Sequence, residues 1–295
     1  MPVPADPTLE ELVREGLKKG GESSPDSDLL ERAEDVWVEE IKNDIWELGK
    51  KPKTLHITSY GVFQQGQSRY SNPTDFSSDL SLAILDGSVR GTAQAGSVSS
   101  ITLASDDPSS ESSIIGKGII VLSGTGQGSY SQVTAYNTST KVATVVPNFN
   151  TAPASGSSYM IVDQEYPVEQ RPIFEYDRNQ NAPIMGIADR FYPMGDEDYG
   201  EFLLNKAPDK VYGARLRYYA DLTKIDTDST LMSTIYRKWR NIFVEGIRWK
   251  KIDDEDDDRA EGAEGRYARK IQVIINREIY GLDISNLNDQ VTDYQ

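Results

Sequence analysis

The chain has 295 residues, no cysteine and a formal net charge of −16 at pH 7. The lack of cysteine excludes disulfides, thiolate metal sites and thiol nucleophiles, and the negative charge disfavours a protein that grips nucleic-acid phosphates. No apolar run approaches the roughly 18 residues of a membrane-spanning helix, and residues 1–16 lack the features of a signal peptide, so we expect the protein to stay in the compartment where it is made.

Two helices are predicted near the N-terminus. The first covers residues 6–19, because Asp6 can cap it, Pro7 suits its first position and Gly20-Gly21 can end it. The second opens at Ser24-Pro25-Asp26 by the same logic and continues to Gly49. Its apolar stripe at helical spacing consists of Leu30, Ala33, Trp37, Ile41, Ile45 and Leu48.

The composition changes abruptly between Ser88 and Asp163. Strands are predicted before this segment, over residues 54–60 and 76–85. The segment itself is rich in Ser, Thr and Gly and contains few Lys or Arg residues. Five short apolar stretches separated by turns predict a small all-β sandwich or barrel. These stretches are residues 98–104, 118–124, 131–137, 141–146 and 157–162.

β structure and then a helix pair are predicted after residue 171. In the strand that covers residues 211–220, Tyr212, Ala214, Leu216, Tyr218 and Ala220 share one face. Asp228 or Ser229 caps the next helix, and the acidic run from Asp253 to Asp258 begins the last one. The two apolar stripes are Leu231, Ile235, Trp239, Ile242, Phe243 and Ile247, and then Ala260, Ala263, Tyr267, Ile271 and Ile274.

These elements predict an α+β protein with a discontinuous body. Residues 1–87 and 164–282 form a helical body with a small β layer, and residues 88–163 form an inserted all-β domain. Residues 283–295 are polar, and we expect them to form a flexible tail.

No stretch of the sequence predicts a catalytic, metal or cofactor site. Asp253, Glu255, Asp257, Glu261 and Glu264 have the spacing of five calcium-loop ligands, but Asp258 occupies the position that needs glycine, so a solvated helix start is favoured. The single histidine, His56, cannot build a common zinc site without cysteine or further histidines, and we expect it to be exposed or to cap an element.

Two other patterns also favour structural roles. The Gly-rich run at residues 124–128 lacks phosphate-loop spacing and a following helix, so it predicts a β-turn. Basic groups at residues 50–53, 237–240 and 250–251 have charges suited to DNA phosphates, but two of them lie where helix ends attract cations.

Four stretches resemble a family of proteins from tailed bacteriophages. Their order along the chain resembles head-to-tail adaptors, the family that includes the podovirus tail tubular protein A and the gatekeeper-type adaptors. The first is a Trp-containing helix that continues into a strand. The second contains a Tyr followed by a Pro-x-Asp-Phe motif and leads into a second strand. The third is a late β hairpin, and the fourth is a final helix pair with an acidic junction. In this chain they correspond to residues 33–58, residues 69–87, residues 189–208 with 214–222, and residues 239–278.

The resemblance implies a non-enzymatic structural subunit of the virion, without a cofactor, assembled in the cytoplasm of the host bacterium. It implies a dodecameric ring that docks below the portal protein, continues the DNA channel without sequence-specific binding, and supports a downstream tail or nozzle protein. Ring closure requires heterologous contacts between neighbouring copies. The 88–163 insert departs from the simplest members of the family, so its role stays open.

Residues 283–295 are the predicted portal-docking segment. Leu287, Val291 and Tyr294 are spaced four and three apart, so an induced helical turn would present them on one face. The competing interpretation is a frayed end without a role. The resemblance favours docking, because in this family a terminal segment is expected to reach into the portal.

Three alternatives to an adaptor remain open. A nozzle or tail-completion protein would share the ring geometry but contact different neighbours. The insert could bind host-surface carbohydrate through Tyr130, Tyr136, Phe149 and Tyr159, although core packing also explains such aromatic residues. A cell-wall hydrolase would need a pair of carboxylates in a cleft, and no local sequence points to one.

Overall fold

The computed structural model describes residues 8–48, 55–179, 184–194, 200–222, 230–255 and 258–276. It contains helices and two seven-stranded sheets, which confirms the predicted α+β class. The chain divides into two compact units. The helical unit comprises residues 1–57, 74–77 and 219–295, and the β unit comprises residues 58–73 and 78–218.

The first helices of the helical unit begin at side-chain caps. Helix α1 (Leu9–Gly20) is capped by Thr8, whose hydroxyl accepts from the Glu11 N–H while the Glu11 carboxylate accepts from the Thr8 N–H. The prediction of Asp6 as the cap is therefore wrong. Asp26, the last residue of the predicted opening Ser24-Pro25-Asp26, caps the next helix. The chain then continues as α2 (Ser27–Arg32), a π-helical turn (Ala33–Trp37) and α3 (Val38–Leu48).

The last two helices divide at a different residue from the predicted one. Helix α6 (Thr230–Asp254) extends into the acidic run, and α7 (Ala260–Ile274) follows without a side-chain cap. Ile252 is fully buried, so core packing continues the helix past the point where its predicted stripe ends. A bidentate ion pair from Arg32 holds the Asp254 carboxylate at this helix end, where the helix dipole alone disfavours negative charge.

Helix α6 is the centre of the helical unit. It packs against α1, α3 and α7, and the predicted stripes supply the core. The α1 contact is close: a Cβ atom at Gly16 would lie 2.7 Å from Ile247 Cβ, and one at Gly20 would lie 3.0 Å from Lys251 Cγ. The buried members of the predicted stripes are Ala33, Trp37, Ile41, Ile45, Ile235, Trp239, Ile242, Phe243, Ile247, Ala263, Tyr267 and Ile271.

The first sheet curls around an aromatic core. Its strand order is β1-β14-β3-β11-β12-β13-β2, and only residues 64–68 join the two edge strands β1 and β2. The edges must therefore lie near each other, and the ring of Phe63 contacts those of Tyr70 and Phe202. The strands are β1 (His56–Phe63), β2 (Arg69–Ser71), β3 (Phe76–Asp86), β11 (Gln164–Gln170), β12 (Arg190–Met194), β13 (Glu201–Leu204) and β14 (Tyr212–Ala220).

The second sheet lies entirely within the predicted insert. Its order is β4-β10-β7-β8-β9-β6-β5, and all five predicted strands are present. A short helix, α4 (Glu111–Ile114), precedes β7. The strands are β4 (Arg90–Thr92), β5 (Ala95–Gly96), β6 (Ser100–Thr102), β7 (Gly118–Ser123), β8 (Tyr130–Asn137), β9 (Val142–Val146) and β10 (Ser158–Val162).

This sheet closes on itself through residues 90–96. Strand β4 pairs with β10, and β5, two residues further along the chain, pairs with β6 at the opposite edge. Between them the Ala93 N–H donates to the Ser157 carbonyl (2.8 Å) and the Gln94 N–H to the Thr102 carbonyl (2.9 Å). The insert is thus a closed barrel without a free strand edge. Its core consists of Ala93, Ile101, Leu103, Ile114, Ile119, Val133, Tyr136, Ala143, Val145, Phe149, Tyr159 and Ile161.

The barrel begins and ends beside two paired strands of the first sheet. Asp86, the last residue of β3, is the antiparallel partner of Gln164, the first residue of β11. A second apolar cluster joins Leu85 of β3 to barrel residues Ile120, Leu122 and Met160. This contact explains why the barrel and the first sheet form one compact unit. The prediction that residues 88–163 fold on their own stays a prediction.

One short helix departs from the predicted β structure after residue 171. Helix α5 (Ile173–Asn179) precedes β12, and Tyr176 contacts the ring of Tyr192 edge-on. Strand β14 follows the prediction, since the five residues of its apolar face are buried. None of the helices in the described part of the chain has the length and apolar character needed to cross a membrane.

Candidate functional site

The predicted portal-docking residues lie outside the described residues. Leu287, Val291 and Tyr294 all follow residue 276, where the described part of α7 and its continuation ends. Their role stays a prediction from the sequence.

The carboxylates with calcium-loop spacing do not form one loop. Asp253 belongs to α6, whereas Glu261 and Glu264 belong to α7, and Asp257 lies outside the described residues. Among the described residues no group of three or more His, Asp or Glu side chains is arranged to hold a metal ion. His56 is exposed, as predicted, and its ring meets that of Tyr219 edge-on at 5.3 Å.

The basic groups near the helix ends pair with carboxylates on neighbouring helices. Arg240 of α6 binds Glu15 of α1 (2.6 Å), and Lys250 binds Glu40 of α3 (2.7 Å). Burial raises the pKa of the Glu15 carboxyl, but hydrogen bonds from Arg240 and Lys19 outweigh this effect, so its pKa lies below the usual value. These contacts assign Arg240 and Lys250 to helix packing; residues 50–53 lie outside the described residues.

The aromatic residues of the insert mostly face the barrel interior. Tyr136, Phe149 and Tyr159 are buried, and Tyr130 stacks on Tyr60 with ring centroids 4.1 Å apart. The Tyr159 hydroxyl donates to the buried Asp107 carboxylate and accepts from the Ala104 N–H (3.0 Å). Burial and the bond to Asp107 raise the pKa of Tyr159. Core packing, rather than a sugar-stacking platform, therefore accounts for these four rings.

A charged cluster secures the two ends of the barrel. Asp86 accepts from Arg90 (2.8 Å) and Lys210 (2.9 Å), and Asp163 accepts from Lys117 (2.5 Å) and from both donors of Ser88. Burial raises the pKa of Asp86, but the bonds from Lys210 and Arg90 outweigh it and hold the pKa below its usual value. The bond from Lys117, with those from Ser88, lowers the pKa of Asp163. The cluster fixes where the barrel joins the sheet.

Replacing Asp86 with asparagine is expected to destabilise the β unit by about 1–3 kcal/mol at neutral pH, because the cations of Arg90 and Lys210 lose their counter-charge. A carboxyl with a lowered pKa contributes stability above its ordinary pKa of about 4, and this contribution disappears as the pH falls through the lowered value. The difference between wild type and variant should therefore shrink in acid. Urea denaturation at neutral and at acidic pH, followed by far-UV circular dichroism, measures this difference in stability.

Glu169→Gln is the matched control for this prediction. Glu169 also pairs with an arginine, Arg171, but its side chain is 59% exposed, against 15% for Asp86. An exposed pair contributes roughly 0–1 kcal/mol, so this variant should unfold almost like the wild type. Equal effects of the two substitutions would show that the cluster does not secure the barrel.

Helix α7 has charges of opposite sign on its two flanks. Arg269 and Lys270 lie three and four residues after Arg266, so these three residues share one flank, which we call the cation flank. Glu261 and Glu264 form the carboxylate flank on the roughly opposite side, because each residue turns an α-helix by about 100°. The buried stripe of Ala263, Tyr267 and Ile271 lies between the two flanks. The apolar stripe on which the helix prediction depends does not reveal this division of the charges.

Exposed apolar side chains cluster along the chain near α5. Ile173 and Phe174 begin the helix, and Ile184 and Met185 follow it after residues 180–183, which lie outside the described residues. The segment is held to the β unit, since the Ala207 N–H donates to the Ile184 carbonyl (3.0 Å). Apolar side chains of this size suit a protein contact.

No family model matches the chain, and no curated protein matches it. The residues themselves must therefore carry any functional conclusion.

Proposed function

We propose that the chain is a non-enzymatic structural subunit of a tailed bacteriophage, a head-to-tail adaptor. Copies of it form a ring below the portal protein that continues the DNA channel and supports the tail or nozzle protein. The discontinuous body of residues 1–87 and 164–282 forms the ring, and the barrel is a domain inserted into that body. The protein belongs to the virion and assembles in the host cytoplasm.

A contact between the first and the last of the four stretches that resemble adaptors carries this proposal. The Trp-containing helix and the final helix pair are about 200 residues apart in the chain, yet Tyr267 of α7 donates to Asp44 of α3 (2.9 Å). Lys250 of α6 binds Glu40 of the same α3 helix. The Trp-containing helix and the final helix pair, which each resemble adaptors, therefore belong to one packed body, as a shared fold requires.

The position of the insert supports the same proposal. The barrel leaves the first sheet after Asp86 and returns before Gln164, its antiparallel partner. A domain added between adjacent strand ends leaves the pairing of those strands intact. An adaptor of the simplest kind can thus acquire such a barrel without a change in the order of its other elements.

The charge of the chain suits a wall around moving DNA. A formal charge of −16 repels phosphates, and the basic side chains Arg240 and Lys250 are engaged in helix packing. A channel that continues the portal must enclose DNA and let it slide. Weak adhesion between the wall and the DNA serves that purpose.

Electron microscopy of particles that contain the chain tests the proposed function. We expect a ring of copies directly below the portal, with the barrels at an equivalent position on every copy. Density further along the tail would instead identify a nozzle or completion protein, and density at the tail tip would overturn the adaptor role.

A further inference from the structure

The charges on the flanks of α7 have no partners within their own helix. No residue of opposite charge lies three or four positions from Glu261, Glu264, Arg266, Arg269 or Lys270. Each flank instead holds like charges at these spacings, which destabilises an isolated helix. In the part of the chain that the structure describes, the side chains of Arg269, Lys270, Glu261 and Glu264 also form no hydrogen bond or ion pair. Charge pairing within α7 therefore does not explain this pattern.

The cation flank has more positive charge than its neighbourhood balances. Arg266 Nε lies 3.9 Å from Glu245 of α6, and Arg248 shares this same carboxylate at 3.4 Å. Two guanidinium groups thus face one carboxylate, and the Nε atoms of both are buried without a hydrogen-bond acceptor. Arg269 and Lys270 add two further cations on the same flank. This surface suits an acidic partner.

We propose that α7 is the contact helix between neighbouring copies of this chain, with the cation flank of one copy against the carboxylate flank of the next. This inference rests on the proposed ring and identifies the residues that close it. Complementary charges on opposite flanks of one helix produce a heterologous, head-to-tail contact, which repeats from copy to copy until a ring closes. DNA is the less suitable partner of the cation flank, because the whole chain carries a charge of −16.

Cross-linking between single-cysteine chains tests the contact, since the natural chain contains no cysteine. Gly262 lies beside the cation flank and Ala268 beside the carboxylate flank; both are exposed, and nothing lies within 4 Å of a Cβ atom at Gly262. Full-length Gly262→Cys and Ala268→Cys chains are mixed at about 0.15 M salt, where the Debye length of about 8 Å screens long-range repulsion. With a short bismaleimide, the mixture should give far more cross-linked dimer than either chain alone.

Charge reversal distinguishes this contact from a random encounter. Arg269→Glu with Lys270→Glu, introduced into both cysteine chains, should lower the dimer yield about tenfold, and so should Glu261→Lys with Glu264→Lys. In the compensating mixture, the Gly262→Cys chain carries Arg269→Glu with Lys270→Glu, and the Ala268→Cys chain carries Glu261→Lys with Glu264→Lys. This mixture should restore the yield, because opposite charges again face each other. All four positions are at least partly exposed, so unchanged tryptophan fluorescence should show that the variants fold.

The inference fails if the mixed and single-chain yields are equal, or if charge reversal leaves the yield unchanged. It also fails if the cation flank binds duplex DNA in place of a second copy. Its failure is distinguishable from that of the adaptor role. A ring seen below the portal with yields insensitive to charge would overturn only the α7 contact. Charge-dependent dimers from a protein located elsewhere in the particle would overturn only the adaptor role.

Discussion

Replacing Gly16 with leucine is expected to unfold the helical unit at a temperature roughly 10 °C below that of the wild type, a loss of about 3 kcal/mol. A Cβ atom at Gly16 would lie 2.7 Å from Ile247 Cβ and 3.1 Å from the Val244 carbonyl oxygen. Neither atom is the end of a flexible side chain, so α1 must move away from α6. That movement separates Leu12, Val13 and Leu17 from the core in which they are buried.

Tryptophan fluorescence is the appropriate measurement for this variant. All four tryptophans of the chain, Trp37, Trp46, Trp239 and Trp249, belong to the helical unit. A thermal transition followed by their emission therefore reports on this unit and not on the barrel.

Gly265→Leu is the matched control, since Gly265 also lies in a helix but is exposed and has nothing within 4 Å of a Cβ atom. Glycine is about 1 kcal/mol less favourable than alanine inside a helix, so this substitution should leave the helical unit equally or more stable. If Gly16→Leu also leaves the transition unchanged, close packing between α1 and α6 does not hold the unit together.

Periodicity in the sequence predicts the elements that bury one face. The stripe from Ala33 to Ile45 and the alternating face of β14 are buried as expected, because helix and strand periods determine which side chains share a face. The helix boundaries were less predictable. Thr8 rather than Asp6 caps α1, and α6 continues to Asp254 because Ile252 packs in the core and Arg32 binds the helix end. The end of α6 depends on tertiary contacts, which the spacing of apolar residues in the sequence does not reveal.

Sheet closure is a further feature that the local sequence does not predict. The five strong strands of the insert are evident from their apolar residues, but β4 and β5 together contain only five residues of low apolar content. They form because Thr92 and Ala95 find partners on β10 and β6, at opposite edges of the same sheet. Pairing of this kind depends on which strands lie nearby in space.

The candidate contact surface on α7 was present in the sequence as a charge pattern. Arg266, Arg269 and Lys270 follow helical spacing, as do Glu261 and Glu264. Their significance depends on which flank the neighbouring helices leave accessible, and only the packing of α7 on α6 and α3 determines this. The sequence therefore predicts the charges on each flank, and the structure adds their accessibility and, for all of them except Arg266, their lack of side-chain partners among the described residues.

Replacing Leu287, Val291 and Tyr294 with alanine is expected to abolish attachment to portal-bearing heads. Leu287, Val291 and Tyr294 are spaced so that one helical turn would present all three to a groove. A few buried aromatic and aliphatic anchors supply most of the binding free energy in such contacts, so replacing all three with alanine removes the main attraction. Truncation after Asp283 should have the same effect.

The measurement mixes purified protein with heads of the proposed parent phage that carry a portal but no tail, and then determines how much protein sediments with them. The control variant replaces the intervening polar residues Asn286, Asn288 and Gln290 with serine and should attach as the wild type does. Thermal transitions of all variants should agree, because residues 283–295 are polar and are expected to form a flexible tail. If the triple alanine variant sediments with the heads as fully as the wild type, these residues do not dock, and attachment to the portal must come from the surfaces of the two folded units.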